Sequence, residues 1–172
     1  SDTLMLQDPP DLSGTVSVLS AISCNSICDG LITFTVDPNL PGTPIYQYSL
    51  DGGTYQTSAT FWGLCGDINY PITVQDLNGC TYTDSLYLTQ PDSLDVYVSL
   101  VSNYNGWGVS CNGATDGIIS VDSVNGGTPL YTYSIDGGTF SSSTFFTNLA
   151  GGLHTIMAQD ASGCSQMVSI TI

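Results

Sequence analysis

The sequence predicts an all-β chain built as two consecutive copies of one two-sheet module, and three observations lead there. A long internal repeat divides the chain of 172 residues into halves. Short runs of alternating apolar residues are punctuated by turn-forming pairs, and no segment carries a capped 3.6-residue period. Hydrophobic residues make up 41% of the chain, with Tyr, Thr, Val and Ile abundant, which is strand-favouring chemistry with enough apolar mass for packed cores.

The repeat is read directly from the residues. Ser23-Cys24-Asn25 returns as Ser110-Cys111-Asn112, and Asp29-Gly30 as Asp116-Gly117. The run from Gly42 to Thr54 (GTPIYQYSLDGGT) returns from Gly127 to Thr139 (GTPLYTYSIDGGT), and Gln75-Asp76 with Gly79-Cys80 returns as Gln159-Asp160 with Gly163-Cys164. The offset drifts from 87 to 84, as expected of duplicated domains that differ by single residues at turns. The boundaries that follow are residues 9–90 for the first repeat and 91–172 for the second. Residues 1–8 read as the last strand of a preceding repeat, because Leu4-Met5-Leu6 before Pro9-Pro10-Asp11 parallels Leu86-Tyr87-Leu88 before Pro91-Asp92. The array is expected to continue in both directions.

Within a repeat, Val16 and Val18, then Ile32, Phe34 and Val36, then Tyr46, Tyr48 and Leu50 set apolar groups on one face. Ile72 and Val74, and then Leu86 and Leu88, do the same, and Tyr131, Tyr133 and Ile135 repeat the third strand. Asp51-Gly52 and Asp136-Gly137 supply the positive φ of tight hairpins. Six or seven such strands in a module of this size predict an immunoglobulin-like sandwich. The short Gln90-Pro91-Asp92 junction predicts a semi-rigid rod.

Charge excludes whole classes of function. The chain has no Lys or Arg, and its fifteen acids are all Asp, for a formal net charge of −15. No carboxylate can pair with a Lys or Arg, so each must be solvated, bonded to backbone N–H groups or neutralised by metal. Nucleic acid and anionic membrane surfaces are excluded as partners, and no run is long enough to insert into a membrane.

The cysteines point to an oxidising compartment and hence an extracellular location. Cys24 aligns with Cys111 and Cys80 with Cys164, so the economical bridges are Cys24–Cys80 and Cys111–Cys164. Cys28 and Cys65 face Thr115 and Ala150 in the second copy and are expected to bond each other. Four cysteines allow three connectivities, so the pairing stays open at this point. Zinc at Cys24-x-x-x-Cys28 is the competing idea, weakened because the second copy breaks the pattern.

The string from Asp-Gly through Gly-Thr-Pro-x-Tyr-x-Tyr-Ser-x-Asp-Gly-Gly, then Phe-x-x-Leu and Gln-Asp-x-x-Gly-Cys, resembles the SprB-type repeat of very large Bacteroidetes cell-surface adhesins, including one used in gliding motility. The resemblance covers both copies, with Phe61-Trp62-Gly63-Leu64 and Phe146-Thr147-Asn148-Leu149 as the Phe-x-x-Leu elements. It departs at Cys28/Cys65 and at the inserted Asn105-Gly106-Trp107-Gly108. It implies type IX secretion, attachment at the outer membrane, neighbouring repeats of the same long chain as partners, and no catalytic residues.

Asp29, Asp76, Asp116 and Asp160 recur beside or two residues before Gly, and they are read as turn formers, with calcium as the alternative cofactor. No dense calcium loop is present, and no resident cofactor is expected otherwise. His154, the only histidine, faces Asn69 in the first copy and lacks the partners of a triad, so no enzyme is expected. Trp62 is expected to pack in the core. Trp107, beside Tyr104 in its Gly-rich insertion, is the candidate surface-binding aromatic, with surface polysaccharide as the implied ligand. Asp-Ser/Thr-aliphatic triplets occur more often than composition predicts. They resemble the O-glycosylation signal of Bacteroidetes secretory proteins and nominate Thr3, Ser85, Ser93 and Ser123. Three functions remain: a structural and adhesive array module, a carbohydrate-binding domain, or a filament or surface-layer subunit completed by strand exchange through residues 1–8.

Overall fold

The computed structural model describes Asp8 and residues 10–172. The chain divides into two compact units, the first ending at Gln90 and the second beginning at Pro91. Residues 1–7, on which the preceding-strand expectation rests, lie outside the described residues. Twelve strands and no helix occur among those described, so no helix is long and apolar enough to cross a membrane.

The first unit holds β1 (Leu12–Ser20), β2 (Gly30–Pro41), β3 (Gln47–Leu50), β4 (Thr60–Leu64), β5 (Ile68–Gln75) and β6 (Thr81–Leu88). They form two antiparallel three-stranded sheets, ordered β1-β2-β4 and β3-β5-β6. This crossover of the third strand to the second sheet is the pattern of an immunoglobulin-like sandwich with one strand fewer than the seven-stranded form. Alternation puts Ile32, Phe34 and Phe61 inward from one sheet and Tyr48, Ile72, Val74 and Leu88 inward from the other. Phe34 meets Tyr48 and Tyr82 with ring centroids 5.9 Å and 6.4 Å apart, closing the core with tilted aromatic contacts.

The second unit holds β7 (Asp95–Leu100), β8 (Gly117–Asn125), β9 (Thr132–Ile135), β10 (Phe145–Leu149), β11 (Leu153–Gln159) and β12 (Ser165–Thr171). Its sheets are ordered β7-β8-β10 and β9-β11-β12, strand for strand the arrangement of the first. Ile119, Val121, Tyr133, Ile156 and Ala158 form its buried centre.

Each unit has a leading end, where its first strand begins, and a trailing end. In the first, Leu12 pairs with Pro41, the Gly42 N–H donates to the Asp11 carbonyl, and the turn between β5 and β6 lies alongside, all at the leading end. Gly30 pairs with Leu64, Ile68 pairs with Leu88, and the Ser26 N–H donates to Gln90 Oε1 at the trailing end. In the second unit the Asp160 turn is at the leading end, and Ile172 packs near Gly108 and Gly117 at the trailing end.

The structure departs from the sequence reading in local ways. Val18 is exposed, because β1 shifts register after it and Ile22 takes the core position instead. Tyr46 precedes β3 rather than lying in it; its hydroxyl donates to the Pro41 carbonyl at 2.7 Å, as that of Tyr131 does to Gly126 at 2.8 Å. The Phe-x-x-Leu element is a bulge. Gly63 and Asn148 take φ of +73° and +60°, and the pairing of β4 and β10 shifts there. The bulge turns both Phe61 and Leu64 inward despite their odd spacing and leaves Trp62 outside, 82% exposed. The expectation that Trp62 packs in the core is therefore corrected.

Candidate functional site at the trailing end of the second unit

Trp107 sits on a small hairpin of its own. Tyr104 and Trp107 exchange backbone hydrogen bonds of 2.7 Å and 3.2 Å around Asn105 and Gly106, whose φ values are +56° and +95°. Asn-Gly with two positive φ angles is the chemistry of a tight two-residue hairpin. Buried Ser102 clamps its base: its hydroxyl donates to the Gly108 carbonyl at 2.6 Å and accepts from the Ile118 N–H at 2.9 Å. The Gly106 N–H donates to Asn103 Oδ1 at 2.7 Å. Trp107 is thus 75% exposed on a fixed backbone, beside a cleft of about 350 Å³ that it lines with Val109, Ser110, Cys111 and Asn112. Burial and then the neighbouring Asp116 charge raise the pKa of the Tyr104 phenol, so the two candidate aromatics share one hairpin but face different surroundings. The hairpin was missed in the sequence, although Asn-Gly flanked by aromatics is its signal.

The repeated aspartates fall into two kinds. Asp76 and Asp160 are buried at the leading ends, and each accepts three backbone N–H bonds. Asp76 Oδ2 accepts from Thr43 at 2.9 Å, and its Oδ1 accepts from Asn78 and Cys80 at 2.9 Å. Asp160 Oδ2 accepts from Thr128 at 2.8 Å, and its Oδ1 accepts from Ser162 and Cys164 at 2.9 Å. Each carboxylate ties the turn before the last strand to the Gly-Thr-Pro segment. Gly42 and Gly127 permit that approach, since a Cβ on either would stand 2.9 Å or 2.7 Å from the carboxylate at φ of +62°. The Thr43 N–H, with those of Cys80 and Asn78, holds the Asp76 carboxyl below its ordinary pKa. Asp29, exposed, and Asp116, half-buried, lie at the trailing ends and accept from the Ser23 and Ser110 N–H groups at 3.0 Å. Bonds from those serines lower both acids. No cluster of three metal-ligating side chains occurs among the described residues.

The cysteines correct the sequence reading. Cys28 and Cys65 are bonded across a separation of 37 residues at the trailing end of the first unit. Cys24 and Cys164 are also oxidised. Cys80 and Cys111, however, carry free thiols, so neither Cys24–Cys80 nor Cys111–Cys164 forms. The reason is length. Cys80 precedes β6 at the leading end, whereas Cys24 lies in the trailing-end loop, and the eight residues of β6 separate those ends by roughly 25 Å at ~3.3 Å per residue. A disulfide needs Cα atoms within about 7 Å. Cys164 and Cys111 stand apart in the same way, at opposite ends of seven-residue β12.

His154 is bonded at both nitrogens. Nδ1 lies 2.7 Å from Asp136 Oδ2 and Nε2 lies 2.9 Å from the Ala150 carbonyl. Two acceptors require two donors, which only the imidazolium provides. The Ala150 carbonyl and then the Asp136 carboxylate raise its pKa. The Thr155 N–H and then His154 lower that of Asp136. Through these two bonds the ring staples the Asp136 turn to the Ala150 carbonyl. Of the glycosylation candidates, Ser85, Ser93 and Ser123 are exposed and Thr3 lies outside the described residues.

Residues 109–140 match the SprB repeat family, so the chain carries a SprB-type repeat beginning two residues after Trp107 and running through the second hairpin. No curated protein sequence matches the chain. Among solved structures, the C-terminal fragment of intimin, solved with the intimin-binding domain of the translocated intimin receptor, aligns at 13% identity and a TM-score of 0.44. The alignment covers 92% of this chain and 64% of that one. Three N-terminal domains of the outer capsid protein Hoc of bacteriophage RB49 align at 19% identity and a TM-score of 0.43, covering 92% and 59%. The chain therefore spans less than two thirds of either.

Proposed function

We propose that this chain, with its SprB-type repeat at residues 109–140, is a non-enzymatic structural and adhesive segment of a long secreted cell-surface adhesin, built from tandem copies of one module. The SprB match is the observation that carries this reading. The shared strand order of the two units and the repeated Asp-to-turn bonds support it. Buried carboxylates that hold turns and free no acid or base for chemistry favour a passive scaffold. The family likeness extends the proposal to Bacteroidetes, to type IX secretion and to adhesins of gliding motility, with outer-membrane attachment at the cell surface. Ser85, Ser93 and Ser123 are proposed as O-glycan acceptors because they are exposed within or beside strands. Calcium is not required in this reading, since N–H donors already occupy Asp76 and Asp160.

A second reading has one specific support. Trp107 stands exposed on a clamped hairpin above a cleft, the arrangement of an aromatic that stacks on a sugar ring. Titration of Trp107 fluorescence with soluble polysaccharides tests it. Saturable quenching that is lost in Trp107→Ala would make the module a carbohydrate binder. A flat response, with adhesion of intact arrays to surfaces retained, supports the scaffold.

A further inference from the structure

Beside the Cys28–Cys65 pair of the first unit, each repeat places one cysteine at each end of its sandwich. Cys24 and Cys111 occupy equivalent positions in the trailing-end loop, and Cys80 and Cys164 occupy equivalent positions at the leading-end turn. A rigid β-module cannot bend to join its own two ends, which are roughly 25 Å apart. A bridge between these two kinds of position must therefore span two modules, trailing end to leading end. The two free thiols occupy the two kinds of position. Cys80 is half-buried at the leading end of the first unit, and Cys111 is exposed at the trailing end of the second.

We propose that Cys111 and Cys80 are the two halves of one head-to-tail staple, with Cys111 of one copy bonding Cys80 of the next. The proposal rests on the array reading above. The surroundings of the two thiols suit such a joint. Cys111 lies in the cleft beneath exposed Trp107, which offers an apolar platform to a second module. Cys80 opens onto a groove lined by Asp8, Pro10, Asp11, Leu12 and Thr81. Charge explains why the joint needs a covalent bond. Each copy carries −15 with no Lys or Arg, so no ion pair of lysine or arginine with carboxylate can hold two copies together, and like charge opposes their approach.

The chemistry balances with a low-molecular-weight disulfide as oxidant. The Cys80 thiolate attacks oxidised glutathione, forming a mixed disulfide and releasing one glutathione thiolate. The Cys111 thiolate of a second copy then attacks the Cys80 sulfur and releases the other. The pair of cysteines loses two electrons and two protons, and oxidised glutathione takes up both as two thiols.

The test uses the full two-unit chain, as wild type and as Cys80→Ser and Cys111→Ser, treated with oxidised glutathione in 0.5 M salt to screen repulsion. The wild type is expected to give a ladder of covalent oligomers on non-reducing gels, with Cys80–Cys111 as the linked peptide in mass spectra. Each single variant should stay monomeric, and an equal mixture of the two should give a dimer and nothing larger. At 10 mM salt the rate should fall at least several-fold. Dimers of either single variant at the rate of the mixture, or glutathionylated monomers alone, overturn the staple. Unchanged melting of the variants shows that they fold. Scattering from the unlinked chain separates a failed staple from a failed array reading, because the latter also requires a compact particle.

Discussion

Asp76 and Asp160 show how an acid-rich chain without lysine or arginine holds its turns. A carboxylate that accepts three N–H bonds replaces the lysine or arginine salt bridge that the chain cannot make. Replacing Asp160 by Ala strands three backbone donors, and the second unit should lose about 1–3 kcal/mol or more, measured by denaturant unfolding. EDTA or millimolar calcium should leave the wild-type melting temperature unchanged; a rise of several degrees with calcium would make these residues ligands. His154 gives a pH dependence with a defined sign. Its pKa is raised in the folded state, so its contribution is fully present below its unfolded value of about 6.5 and is lost as pH rises through the folded value. Asp136 is lowered, so its contribution is present above the ordinary Asp range and is lost as pH falls through its folded value. His154→Asn, the residue at the equivalent Asn69, should flatten the alkaline limb of a melting-temperature profile between pH 6 and 9. The turn role of these acids was legible from their spacing to Gly. The His154 staple was not, because Ala150 contributes only a backbone carbonyl, which no residue identity announces.

At the level of strands and hairpins, local chemistry was the reliable guide. Asp51-Gly52 and Asp136-Gly137 take positive φ at both positions, as two-residue hairpins require, and the alternating runs became β2, β3, β5 and their equivalents. The reading faltered where a bulge broke the alternation. Gly63 and Asn148 carry a positive φ that the bare Phe-x-x-Leu pattern does not declare, and Trp62 was sent inward for that reason. The Trp107 hairpin was present in the letters Asn105-Gly106 but read only as a loop. Trp107→Ala should leave stability within about 0.5 kcal/mol, as exposed substitutions do, while removing any saturable surface binding. Gly127→Ala should destabilise the second unit, because its Cβ meets Asp160 at positive φ. Comparison of their unfolding midpoints checks both, and a Gly127→Ala midpoint equal to wild type would contradict the turn geometry.

For the whole molecule, the all-β class was the most legible feature and disulfide connectivity the least. Cysteine spacing says which positions are equivalent but not which end of a sandwich each occupies; that depends on the direction of β6 and β12. Cys28–Cys65 lies within the first unit, and closing 37 residues should stabilise that unit by roughly 4 kcal/mol in the chain-entropy picture. Cys28→Ser with Cys65→Ser should therefore lower the melting of the first unit and spare the second, separable by calorimetry as two transitions. The proposal of a passive array segment is tested most directly by small-angle scattering from the monomeric two-unit chain at 0.15 M salt. An elongated particle whose pair-distance distribution shows two lobes is the expected result. A single symmetric peak from a compact globule, with both units folded about a shared pocket, would contradict it.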